Sequence, residues 1–179
     1  MNTAIAERSC PVFDAKSFRE SMSRVPAAVH IVTAAEGMER VGVTATAMCS
    51  VSDSPCSLLI CLYREGRARA LMREGTAVAV NTLQGSQQEL AAVFAGQGRL
   101  PMADRFNHGD WDLAPGKAPT LNDALVTFQC KVDSIMEYGS HSVIICRALE
   151  VLRRESESAL LYGARQYARL HFQPSMQMA

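Results

Sequence analysis

The chain has 179 residues, 48% of them hydrophobic, and its 18 basic side chains balance its 18 acidic ones. That is enough for one full core and too little for two large ones, so a single domain over 1–179 is expected, its core at about 18–170. Zero formal charge supplies no field to attract nucleic acid or an anionic membrane, and no apolar run reaches the roughly 18 residues of a spanning helix. Met1 to Arg8 also lack a signal-peptide core, so the expectation is a cytoplasmic protein with no nucleic-acid or membrane partner.

In chain order, Asp14 can cap a helix whose Phe18, Met22 and Val25 fall at helical spacing, with Pro26 ending it, and this amphipathic face should pack on something. Ala28 to Ala35 and Val41 to Ala47 read as a hairpin about a turn at Glu36 to Glu39. Residues 42–52 are unusual, because small and hydroxyl-bearing residues stand where a buried strand would carry bulky ones. In one extended segment Thr44, Thr46, Ser50 and Ser52 share a face, with Val43, Ala45, Ala47, Cys49 and Val51 on the other. Small side chains let a flat polar ligand approach the backbone; the plainer reading is a half-buried strand entering the turn at Ser52 to Pro55.

Ser57 to Tyr63 and Ala77 to Leu83 are two further strands, separated by an arginine-rich short helix within Arg64 to Glu74. Gln87 to Ala95 is a helix, with Gly96 as its C-terminal cap. Gly96 to Pro119 reads as a long loop, held in place by Trp111. Alternation over Ala124 to Asp133 gives a long half-buried strand, and Ser142 to Val151 is its partner across the turn at Tyr138 to Ser140. Many strands, few helices and hairpin connections argue for a closed antiparallel barrel, and the missing G-x-G-x-x-G and P-loop motifs exclude the Rossmann manner of holding a nucleotide.

Six scattered cysteines with no C-x-x-C pair and no histidine at ligand spacing read as buried free thiols rather than a metal site, and a Cys49–His141 nucleophile stays formally open. His30 reads as a core residue, His108 and His171 as exposed. No acid–base pair stands out.

Six motifs then occur in one order: Phe18-Arg19-x-x-Met22; Gly42 to Ser52; Val80-Asn81-x-Leu83 with Gln88-Glu89-Leu90; Phe94-Ala95-Gly96; Gly139-x-His141; and Leu161-Tyr162 with Arg165-x-Tyr167. Together they resemble the short-chain NAD(P)H:flavin oxidoreductases, above all the reductase components of two-component 4-hydroxyphenylacetate 3-hydroxylases. The likeness implies a mainly β fold with a few helices, an FMN-binding split β-barrel of Greek-key antiparallel type, working as a homodimer. It also implies reduction of free FAD or FMN by NADH, with NADPH as the alternative, and delivery of reduced flavin to a separate flavin-dependent oxygenase of aromatic hydroxylation.

By the same resemblance Val43, Thr44, Ala45, Thr46, Ser50, Val51 and Ser52 line the flavin, joined by Asn81, Leu83 and Gln88. His141 meets the nicotinamide nucleotide, and Arg165 and Tyr167 carry the C-terminal signature. The chain departs from the family at Tyr63 to Arg67, where Asn and Ser are usual near the flavin phosphate. Arg67 or Arg69 is expected to supply charge-assisted hydrogen bonds there, against the alternative that the arginines form a solvated helix face. Hydride transfer to flavin asks no side chain to move a proton, so no catalytic residue is named; backbone N–H groups of Thr44 to Ser52 would steady the developing charge. A flavin carrier or sensor on the same barrel is the competing reading, and a pyridoxamine-phosphate oxidoreductase would call for a denser set of basic residues.

Overall fold

The computed structural model describes residues 14–173. Seven strands form one antiparallel sheet: β2 (His30–Glu36), β3 (Glu39–Ala45), β4 (Met48–Asp53), β5 (Cys56–Tyr63), β6 (Ala77–Thr82), β9 (Val126–Tyr138) and β10 (His141–Arg153). Their order is β3-β2-β6-β9-β10-β5-β4. Hairpins β2–β3 and β9–β10 turn at Gly37 and Gly139, whose φ of 58° and 57° suit glycine. A separate three-stranded sheet is made of β1 (Ala27–Ala28), β11 (Ser158–Gly163) and β12 (Gln166–His171), and a small ribbon of β7 (Trp111–Asp112) and β8 (Thr120–Leu121).

The most consequential join is the shortest. β3 and β4 follow one another in the chain yet occupy opposite edges of the large sheet. At Thr46 and Ala47 the backbone crosses from one edge to the other, held by Met48 N–H donating to the Thr46 carbonyl and Cys61 N–H donating to that of Ala47. The sheet therefore curls on itself without a ladder between its edges. The fold is a split barrel, not the closed one that hairpin counting suggests, and 42–52 is not one strand with a common hydroxyl face.

Inside the curl lies the first core, with Val32, Val41, Ile60, Val80, Val132 and Ile144 among its members. A second core sits on the outer side of β2 and β6, where Val29, Ile31, Leu83, Leu90, Phe94 and Leu160 meet. These two strands are thus covered on both faces. Buried polar groups in them need partners: Asn81 donates to the Ile31 carbonyl and accepts from Leu121 N–H and the Thr127 hydroxyl, and His30 Nδ1 lies 3.0 Å from the Thr82 hydroxyl. Burial pushes the His30 pKa down to about 4, so the core histidine is neutral.

Helix α1 (Ala15–Ser23) starts as expected, with the Asp14 carboxylate accepting from Ser17 N–H, and it buries none of its residues fully: Phe18 and Met22 on its apolar face are each 50% exposed. α2 (Arg67–Ala70) and α3 (Gln88–Phe94) follow, and Gly96 takes a φ of 94° just past α3. The stretch 96–119 is more ordered than a loop, holding a 3-10 turn (Gln97–Arg99), α4 (Met102–Arg105) and β7. Trp111 does pack it, meeting Phe94 at a tilt and Phe106 edge to face, both at 5.3 Å. The thiols divide: Cys130 and Cys146 are buried and their pKa values pushed up to about 12, Cys61 is half-buried, and Cys49 and Cys56 are exposed, contrary to the uniform expectation. Cys10 lies outside the described residues.

Candidate functional site

A cavity of about 790 Å³ opens where three elements meet, a size in the range of small-molecule sites. The end of β3 and the crossing contribute Thr44, Ala45 and Thr46. The outer face of α3 contributes Gln88, Glu89, Ala92 and Ala95, and the tip of the β11–β12 hairpin contributes Tyr162, Arg165 and Tyr167. Six residues named from sequence alone thus converge: Thr44, Ala45, Thr46, Gln88, Arg165 and Tyr167.

Close packing sets this wall. Gly42 lies against α3 so tightly that a Cβ built on it would stand 2.5 Å from Phe94 Cε1. The Thr44 hydroxyl donates to the Ala91 carbonyl at 2.6 Å, tying α3 to the strand, so that hydroxyl is already committed and Thr46 is the exposed one. Ala92 and Ala95 follow Gln88 at helical spacing and keep the α3 face low, leaving room for a flat ring. The sequence signal for these two is the spacing of small residues along α3, which by itself indicates no more than a helix. Opposite them Tyr162 and Tyr167 meet edge to face at 5.1 Å. Burial, and then the neighbouring Tyr162, raise the pKa of Tyr167, so it is a neutral phenol near pH 7.

The hairpin tip is strained. Gly163 pairs with Gln166, leaving the two-residue turn Ala164-Arg165, and both take positive φ, 50° and 60°. Such turns favour Asn-Gly. Arg165 donates to the Glu20 carboxylate of α1 at 2.7 Å.

A smaller cavity of about 280 Å³ is lined by Gly42, Val43, Tyr63, Arg67, Arg69, Met102 and Arg105 among others. Here the two arginines expected to compete for a phosphate separate. Arg69 is tied down, with Nε on the Ser142 hydroxyl at 2.7 Å, Nη1 on the Met72 carbonyl and Nη2 on Glu137. Hydrogen bonds from Ser142 and then Arg69 hold the Glu137 carboxyl below its ordinary pKa. Arg67 is largely exposed, and among the described residues its ion pair is with Glu39 at 3.7 Å.

The remaining residues stand apart. Ser50, Val51 and Ser52 lie on the exposed edge strand β4, where the Ser52 hydroxyl accepts from Ser54 N–H. His141 opens β10, its Nδ1 2.9 Å from the Ser140 hydroxyl and its ring 6.0 Å from that of Tyr63, and it lines neither cavity. Asn81 and Leu83 are 0% exposed. Leu83 belongs to the second core, and the Asn81 amide is used within the protein, donating to Ile31 and accepting from Leu121 and Thr127, so neither side chain lines a cavity.

The donor set fits a flavin and a nucleotide better than an acid–base centre. The large cavity offers an apolar slot floored by alanines, amides at Gln88, Gln97 and Gln166, and a single cation, Arg165, among its described lining residues.

Comparison with known proteins agrees with that chemistry. A family model for the flavin reductase like domain matches residues 22–171. The FMN reductase (NADH) RutF of Methylorubrum populi is 43% identical over 171 residues, 95% of this chain and 83% of that protein. Among solved structures, BorF, the flavin reductase component of a bacterial two-component tryptophan halogenase, has a TM-score of 0.79 at 28% identity, covering 89% of this chain and 100% of the other. SgcE6, an NADH:FAD oxidoreductase of Streptomyces globisporus in complex with NAD and FAD fragments, has a TM-score of 0.77 at 26% identity, covering 92% and 96%.

Proposed function

The chain belongs to the flavin reductase-like domain family, and from that premise we propose that it is an NADH:FMN oxidoreductase that releases reduced flavin to a separate enzyme. The observation that carries this reading is the convergence of Thr44 to Thr46, Gln88, Arg165 and Tyr167 on one cavity, in a chain so similar to an FMN reductase (NADH). Both a flavin and a pyridine nucleotide must come together face to face, and the cavity volume and its low alanine wall suit stacked rings.

When bound, flavin supplies the hydride acceptor, so the protein's work is to bind, orient and exclude water. Ala45, Ala92 and Ala95 leave the slot in which a ring lies flat. Thr46 and Gln88 offer polar contacts at its rim, and Tyr162 with Tyr167 forms the apolar wall opposite α3. Arg67, which is exposed and loosely paired, reaches for the flavin phosphate. The reaction consumes one NADH and one proton and yields NAD⁺ and two-electron-reduced flavin, with the proton coming from solvent.

The working unit is a homodimer. Leu149, Val151, Leu152 and Leu170 are exposed beyond what a solitary barrel needs, and a second copy would bring His141, which lines neither cavity in one chain, to a shared site. The consumer of reduced flavin is an oxygenase or a halogenase, as for BorF; hydroxylation of an aromatic substrate is the form that the resemblance to 4-hydroxyphenylacetate 3-hydroxylase components suggests.

The test is loss of NADH absorbance with purified protein, with and without added FMN, and with FAD in parallel. Oxidation that rises steeply with free FMN supports a reductase. Yellow protein that retains flavin through gel filtration and oxidises no NADH would make it a carrier instead.

A further inference from the structure

Arg165 is the one cation among the described residues lining the large cavity, and it is occupied. Its partner, Glu20, comes from α1, a helix that buries no residue. Apart from that ion pair, α1 is joined to the hairpin tip by Ala164 N–H donating to the Ser23 carbonyl. The backbone at the tip is held in a conformation that Ala164 and Arg165 adopt only at a cost, 50° and 60° in φ, and such strain concentrates where a side chain must be presented in a set direction. The turn aims Arg165 so that it borders both the cavity and the depression beneath α1, where Glu20, Ser23 and Arg24 lie.

We infer that Arg165 is the receptor for a phosphate group of the nucleotide ligand and that the Glu20 carboxylate holds its place until the ligand displaces it, which makes Glu20 an affinity-setting residue of the site. This rests on the reading of the cavity as a nucleotide site. The chemistry is an exchange of one oxyanion for another on the same guanidinium: a carboxylate and a phosphate both accept from its N–H fork, and the phosphate carries more charge. The pair is solvent-accessible, with side chains 63% and 54% exposed, so Glu20 is a weak competitor and the exchange needs no unfolding. With Arg67 on the FMN phosphate the group is the pyrophosphate of NADH; should Arg165 hold the FMN phosphate instead, Arg67 does not.

The experiment is equilibrium titration of the full chain with NADH, followed by its fluorescence, and separately with FMN, followed by flavin fluorescence. The variants are Glu20→Gln, Arg165→Gln and the double variant. Glu20→Gln should tighten one of the two ligands by about two- to fivefold, the range of an exposed ion pair, and the gain should shrink as salt is raised. Whichever ligand tightens is the one whose phosphate sits on Arg165. In the Arg165→Gln background the same Glu20 change should do nothing. The inference is overturned if Glu20→Gln tightens neither ligand, weakens one, or keeps its effect without Arg165. Binding is read without turnover, so a protein that oxidised no NADH would sink the reductase assignment while these titrations still decided the role of Glu20.

Discussion

Gly42 and Thr44 are consumed by the protein's own packing: the first has no room for a Cβ beside Phe94, and the second gives its hydroxyl to the α3 carbonyl at Ala91. Ser50 and Ser52, a few residues on, lie on an exposed edge strand at the far side of the same sheet. The two stretches have nearly the same composition. Small residues in the β3 part let a helix come close and so build one wall of the cavity. Small residues in the β4 part leave a bare edge that a ligand or a second subunit can approach. A run of glycine, alanine, serine and threonine therefore marks close approach, and only the partner that approaches tells structure from function.

The sharpest way to break this contrast is Gly42→Ala. A methyl placed 2.5 Å from a fully buried ring should cost about 1–3 kcal/mol in urea unfolding. A loss under about 0.5 kcal/mol would show that Phe94 is free to move and that the β3 stretch is not a packing device.

Just behind it, opposite Ala45 in register, stands His30. The unfolded chain takes up this proton near pH 6.5 and the folded one only near 4, so stability is whole above 6.5 and declines as pH falls towards 4. Between about pH 7 and about pH 5 the decline should be about 2 kcal/mol, and His30→Gln should flatten it by that amount whatever its own cost. An equal slope in both proteins would place the histidine in water.

Thr44→Val should lose about 1 kcal/mol, since the Ala91 carbonyl keeps its bond from Ala95 N–H, and should leave the KM for FMN within about twofold. Smallest in stability is Ser50→Ala, expected within about 0.5 kcal/mol. Its readout is binding: a KM for FMN raised severalfold at unchanged Tm makes β4 a ligand surface, while no change leaves it a plain edge.

Local signals in the sequence carried far. Asp14 capping α1, Gly96 closing α3 and Gly139 turning β9 into β10 each depend on a few neighbours, and each stands where spacing put it. Six cavity residues were also legible from their motifs. What escaped was long-range. The crossing at Thr46 and Ala47 leaves an extended-looking pattern intact while moving its second half to the other edge of the sheet. Asn81 on β6 and Leu83 just past it are both buried, at a strand covered on both faces, where alternation says nothing about which side meets ligand. Arg67 and Arg69 are alike in sequence and differ only because Glu137 and Ser142, some seventy residues on, claim the second. That α1 buries none of its residues fully was equally hidden, since amphipathic spacing predicts a partner without naming it.

The central claim is that the cavity between β3, α3 and the β11–β12 hairpin is where NADH reduces flavin, and Ala92→Trp tests it most directly. Ala92 lines that cavity from a partly exposed position on α3, so an indole there should fill the slot while the core stays intact. The account predicts an unchanged unfolding midpoint with FMN-dependent NADH oxidation reduced at least about a hundredfold, as expected when the reacting rings can no longer meet. Turnover close to that of the unaltered protein, at equal stability, would contradict it and move the reaction elsewhere on the barrel.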